Sequence, residues 1–174
     1  IFTLPFSFID RQQIKTVAEI LKPEVVTVEI EVLGHTPPIV RNRPFIVRVK
    51  DCSVEFNIIF FRARVEYLKK LLPIGSKRLI SGKLEFFDNL RQMTHPDYII
   101  PLGEKNVIPR FDAVYPLTKG ITQKIFAKSI KGALEAVPVL SEWIDRSKKL
   151  DSQWPDWQQS VWLAHTPKDQ DALS

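Results

Sequence analysis

Phe60-Phe61-Arg62-Ala63-Arg64 sets two aromatic rings beside two guanidinium groups. Rings stack on nucleobases and guanidinium groups hold phosphates, so this cluster has the make-up of a nucleic-acid contact. Further cations stand at Arg41, Arg43, Lys50 and Arg91. Residues 1–34 carry 3 basic and 5 acidic side chains, residues 35–91 carry 12 and 5, and residues 92–174 carry 10 of each. The net charge of +5 therefore comes from the middle of the chain. A cationic field confined to one segment points to a polyanion partner, although basic surfaces are common among soluble proteins.

The rings lie at the end of Ser53–Arg64, the stretch that organises the chain. Strand side chains alternate between faces. Val54, Phe56, Ile58 and Phe60 share an apolar face that should meet a core, while Glu55, Asn57, Ile59 and Phe61 point the other way. Phe61 is then either a platform for a base or an aromatic covered by a neighbouring helix. The expected contact set is Phe60, Phe61, Arg62, Arg64, Arg41, Arg43, Lys50 and Arg91, with Phe61 as its leading ring.

Other chemistry is poorly supported. The six glycines form no Gly-x-x-x-x-Gly-Lys-Ser/Thr phosphate loop. His35, His95 and His165 lack metal-ligand spacing, and no nucleophile elbow or carboxylate pair stands out. One cysteine, Cys52, excludes an internal disulfide and fits a reduced, cytosolic thiol. Neither a signal peptide nor an apolar run of the roughly 18 to 20 residues needed for a membrane span is visible. Ile1 at the start is expected to mark an excised or processed piece. The expectation is a chain that catalyses nothing alone and uses no metal or cofactor.

These side chains need elements to position them. Leu4–Arg11, aromatic and broken by Pro5, reads as an irregular packing segment. A short helical turn, Thr16–Leu21, has Thr16 as its cap and ends at Pro23. From Val25 the period is two: Val26, Val28, Ile30 and Val32 alternate with Thr27, Glu29, Glu31 and Leu33. A second strand covers Pro44–Lys50 with Phe45, Val47 and Val49 inward. The organising strand is third, followed by a helix over Val65–Leu72. A fourth strand, Arg78–Phe86, contains Gly82 as an expected bulge or bend, and a fifth covers Gln92–Ile100 with Pro96 as an edge or break.

Five strands with a helix between the third and fourth have the order of an OB-fold, a barrel that binds oligonucleotides on one face and through two loops. Arg41 and Arg43 fall in the first of those loops, Asp88 and Arg91 in or beside the second. Beyond Pro101 come an exposed connection at 103–106, an extended stretch at 107–109 and an amphipathic helix, Thr118–Val137. Its apolar stripe is Ile121, Ile125, Ile130, Leu134 and Val137; Lys119, Lys124, Lys128 and Lys131 fill the rest. Further helices are expected over Leu140–Lys149 and from Pro155 to Ala164. Trp154, Trp157 and Trp162 are expected to pack this appendage onto the barrel or onto parts of the protein outside this chain. The fold class is thus mainly β: a five-stranded barrel with a small helical linker. Residues 1–22 are read as a packing segment, 23–103 as the barrel and 104–174 as the connection and helices.

Six pieces in order resemble the family of RecG-type branched-DNA helicases. They are Leu4–Arg11, Arg48-Val49-Lys50-Asp51 leading to Phe60-Phe61, Ser81-Gly82-Lys83, Gln92–Tyr98, Val114–Lys124 and His165-Thr166-Pro167. The resemblance implies a wedge domain that docks at a replication fork or Holliday junction during repair and recombination, with wedge-tip aromatics stacked on bases beside the branch point. The second phenylalanine of the family's pair falls on Phe61. It further implies motor domains following Ser174 in the same polypeptide, where ATP and Mg would be used, and a monomeric, cytoplasmic bacterial protein at the nucleoid. Two positions depart from the family: Arg62 replaces a common asparagine, and Ala63, Arg64 and Val65 stand where a further aromatic is frequent. Two other readings remain: a free-standing OB-fold module for single strands, and an interaction module using the tryptophan-rich helices.

Overall fold

The computed structural model describes residues 3–38, 40, 43–62, 64–88, 90–141, 144, 145, 147 and 152–166. In chain order the elements are β1 (Ser7–Asp10), β2 (Gln13–Ile14), a 3-10 turn (Val17–Glu19), β3 (Glu24–Thr36), β4 (Phe45–Lys50), β5 (Glu55–Phe60) and α1 (Val65–Leu71). Then follow β6 (Lys77–Phe87), β7 (Leu90–Thr94), β8 (Tyr98–Pro101), a 3-10 segment (Leu102–Val107), β9 (Phe111–Val114), α2 (Gln123–Glu135) and α3 (Trp157–His165).

Two compact units result, one of Arg11–Arg110 and one joining Ile1–Asp10 to Phe111–Ser174. In the first, the strands neighbour one another in the order β3-β4-β5-β7-β6, and β6 pairs back onto β3 to close a five-stranded barrel. Closure depends on β3 being long and bent. Its first part, Glu24–Glu31, pairs with β6, and its last part, Glu31–Thr36, pairs with β4. The register slips between Val32 and Gly34, a bulge that lets one strand serve two neighbours. The period-two pattern fills the interior: Val26, Val28, Ile30, Val32, Phe45, Val47, Val49, Phe56, Ile58 and Phe60 are all buried. Burying one such side chain contributes roughly 1.5–3 kcal/mol, which is what orders the strands. Leu68 and Leu72 extend this core from the region of α1.

Several local expectations are revised. The fifth strand breaks at Pro96 into β7 and β8, because β6 changes partner there: its 78–81 stretch faces β8 and its 84–87 stretch faces β7. Gly82 makes no bulge, since the register from Glu24↔Leu84 to Glu31↔Lys77 is continuous. Its need is space, because a Cβ there would lie 3.0 Å from both Met93 Sδ and the Pro96 Cα.

In the second unit, Leu4–Arg11 is not irregular throughout: β1 pairs antiparallel with β9, Ser7 opposite Val114. The expected helix from Thr118 starts only at Gln123. Gly120 has φ +95, and Thr122 caps the helix by accepting the Ile125 N–H. Ile121 and Ile125 are consequently exposed. Ile130, Leu134 and Val137 join Tyr115 and Val161 in this unit's core, with Phe126 and Trp157 packed against them. Trp154 and Trp162 are exposed. The 103–106 connection lies in a 3-10 segment, and α3 starts at Trp157 behind an Asp156 cap, two residues later than expected from Pro155. The expected Leu140–Lys149 helix falls largely outside the described residues. Among these residues no helix is long and apolar enough to cross a membrane.

Candidate nucleic-acid interface

Phe61 lies just beyond β5 and is 50% exposed. The alternation that buries Phe60 turns the next ring outward. Two contacts to His95 hold it. The Phe61 N–H donates to His95 Nε2 at 3.0 Å, and the two rings lie 6.0 Å apart at 36°. Accepting at Nε2 places the neutral imidazole's proton on Nδ1. His95 is itself fixed: its N–H donates to the Ile59 carbonyl at 3.0 Å, and its φ is +47. The Phe61 ring thus stands on a braced turn and leaves a face to solvent. His95 was not among the expected contact residues; its signal in the sequence was its place beside Pro96 within the Gln92–Tyr98 piece that carries the resemblance.

Arg62 and Arg64 follow directly and are exposed. Arg43 is also exposed and lies two residues before Phe45, the cross-strand partner of Phe60, so it belongs to the same end of the barrel. Arg41 falls outside the described residues. One aromatic face with three guanidinium groups at one barrel end suits a base and its flanking phosphates.

Three expected members do not join this cluster. Phe60 is only 6% exposed and packs edge-on against His95 at 5.7 Å, so it supports the platform from within and has no face for a base. Lys50 is opposite Glu55, at the far end of the β4–β5 ladder, about 16 Å away at 3.3 Å per residue. It pairs with Glu31 at 3.5 Å and lines an open cleft of about 790 Å³ that also holds Lys15, Lys77, Glu29 and Asp51. Both signs of charge meet there. Arg91 donates through Nε to the Val17 carbonyl and through Nη2 to the Ala18 carbonyl, each at 3.0 Å, with its guanidinium over the Phe86 ring. It ties the 3-10 turn to β7, and its fork is taken by the protein's own backbone. Among the described residues no cluster of His, Cys, Asp and Glu is arranged to hold a metal ion.

Arg62 sits at φ +53, in the left-handed region. A long side chain is strained there by roughly 1–2 kcal/mol, whereas asparagine tolerates it. Arg62→Asn is expected to stabilise the barrel by up to about 1 kcal/mol, raising the melting temperature by roughly 2–4 °C. A thermal scan showing no rise would mean that the arginine's own contacts offset the strain.

The RecG wedge domain model matches residues 1–137. The ATP-dependent DNA helicase RecG of Escherichia coli O127:H6 (strain E2348/69 / EPEC) is 27% identical over 134 residues, covering 76% of this chain and 19% of that protein. A solved structure of RecG bound to a three-way DNA junction superposes with a TM-score of 0.78 at 19% identity, over 98% of this chain and 24% of the other. The chain thus spans about a quarter or less of each of these two proteins, and it shares the fold of the superposed part of the solved one. The motif resemblance, the closed barrel and the match over more than three quarters of the sequence agree: this chain belongs to the RecG wedge domain family.

Proposed function

We propose that this chain is the branched-DNA-binding wedge region of a RecG-like ATP-dependent helicase, which meets replication forks and Holliday junctions and parts strands at the branch point. The observation that carries the reading is the half-exposed Phe61 ring, braced by His95 beside Arg62, Arg64 and Arg43. A ring fixed from behind loses little freedom when a base stacks on its free face. The arginines hold the phosphates that turn away from the duplex there. Translocation, with ATP and Mg, belongs in this reading to motor domains of the same polypeptide; the 174 residues bind and divide. The barrel is the wedge, and residues 104–174 are the linker toward the motor.

The test is fluorescence anisotropy with the 174-residue chain on fork, duplex and single-stranded DNA of equal length. Fork DNA is expected to bind best. Phe61→Ala should weaken fork binding by roughly 1–3 kcal/mol, the worth of one stacked base, with the melting temperature kept. Equal affinity for all three DNAs, or a fold that collapses on this substitution, would reject the proposal.

A further inference from the structure

We infer a second DNA contact on the other compact unit: Lys124, Lys128 and Lys131 of α2 form a row that receives the phosphates of one strand of duplex DNA. The inference takes from the proposed function only that DNA is the polyanion. At 100° per residue the three side chains fall within an arc of about 60°, centred roughly 110° round the helix from the face that buries Ile130 and Leu134. All three are exposed, and none forms an ion pair among the described residues. The row is about 10 Å long at 1.5 Å per residue, the axial rise of about three nucleotide steps at 3.4 Å each along one strand.

Two features distinguish this face from an ordinary solvated one. Solvated helix faces usually interleave acids with lysines, and acids favour the first turn. Here the first turn has no acid, and Lys124 and Lys128 repel at i, i+4. Glu135, the helix's one carboxylate, falls on the same arc four residues after Lys131, so the face is free of acids over Lys124–Lys131 and ends in one. Gly132, one turn beyond Lys128, is the second feature. A Cβ there would meet nothing within 4 Å, so no packing need in its own unit explains a residue that weakens a helix interior. A bare backbone beside a lysine row lets an external surface come close. An acidic protein surface is the rival occupant; the regular spacing of the row favours a phosphate backbone.

The experiment uses the whole chain with plain duplex and with fork DNA across a salt series. K124Q/K128Q/K131Q should lower the slope of log affinity against log salt by roughly 2–3, at about 0.9 per phosphate contact, on both DNAs. The matching arginine variant should keep the slope. Gly132→Glu should raise the melting temperature, through helix propensity and a pair with Lys128, yet weaken duplex binding several-fold. An unchanged slope in the glutamine variant overturns the inference, and that includes the case of an acidic protein partner. Unaltered duplex binding by Gly132→Glu does the same. The fork-to-duplex preference reads the Phe61 platform instead, so either proposal can fail while the other stands.

Discussion

Asp51→Ala is expected to destabilise the barrel by about 3 kcal/mol, a large fraction of the roughly 5–15 kcal/mol that holds a domain folded. The carboxylate is only 8% exposed and accepts three backbone N–H groups: Val17 at 2.7 Å, Ser53 at 2.7 Å and Val54 at 2.8 Å. It thereby closes the turn into β5 and fastens the N–H of Val17 at the start of the 3-10 turn, whose Val17 and Ala18 carbonyls Arg91 holds. Hydrogen bonds to a charged group contribute about 1.5–3 kcal/mol each and are not additive, so the sum is well below three times that value. Alanine leaves the donors without an acceptor. Asparagine retains the shape but turns an NH2 toward at least one N–H, so Asp51→Asn should recover little.

The same residue sets an acid limit. Burial raises the Asp51 pKa, but the N–H groups of Val54, Ser53 and Val17 and the Thr16 hydroxyl outweigh it, leaving the pKa below its ordinary 3.8. A carboxyl that titrates lower when folded adds stability above its unfolded pKa, and loses it as pH falls through the folded one. The wild-type chain should therefore lose stability below pH 3.8 more steeply than Asp51→Ala. Urea unfolding at pH 7 and at several points below pH 4 checks both claims. Equal midpoints at pH 7, or parallel acid limbs, would remove Asp51 from this position.

The barrel was legible in the sequence because its strands bury one face each, and burial of alternate residues leaves a period that survives without tertiary information. Phe61 was legible for the same reason: whatever buries Phe60 exposes its neighbour. Tertiary capture was not legible. Nothing near Arg91 in the sequence shows that the carbonyls of Val17 and Ala18 take its guanidinium, because those groups lie more than 70 residues away. Lys50 was assigned to the platform by its charge, while strand register carries it to the opposite end. β1 was hidden because its pairing partner, β9, lies a hundred residues downstream, so four residues after Pro5 show no local period. His95 was hidden because its function is geometric: a positive φ beside Pro96 aims its ring at the end of β5.

Arg11→Ala should cost about 3 kcal/mol as well, and should loosen the proposed DNA platform with it. The guanidinium is 5% exposed; its Nη1 donates to Ser81 Oγ at 3.1 Å and meets Asp97 Oδ2 at 2.9 Å, while the group lies over the Tyr98 ring at 5.0 Å. Ser81 also accepts the Thr27 hydroxyl at 2.9 Å, so one side chain links β3, β6 and the turn between β7 and β8. A lysine Nζ could donate to both serine and carboxylate but has no planar face to lay on the Tyr98 ring, so Arg11→Lys should rescue only part of the loss. A double-mutant cycle with Asp97→Ala should show a coupling of about 1 kcal/mol or more, since the two groups share one contact. Asp97 lies two residues after His95, whose ring receives the Phe61 N–H. Freeing that turn releases the brace behind Phe61, so Arg11→Ala should also weaken fork binding at temperatures where the barrel is still folded. Additive single-mutant costs, or full fork affinity in a destabilised Arg11→Ala chain, would separate the clamp from the platform.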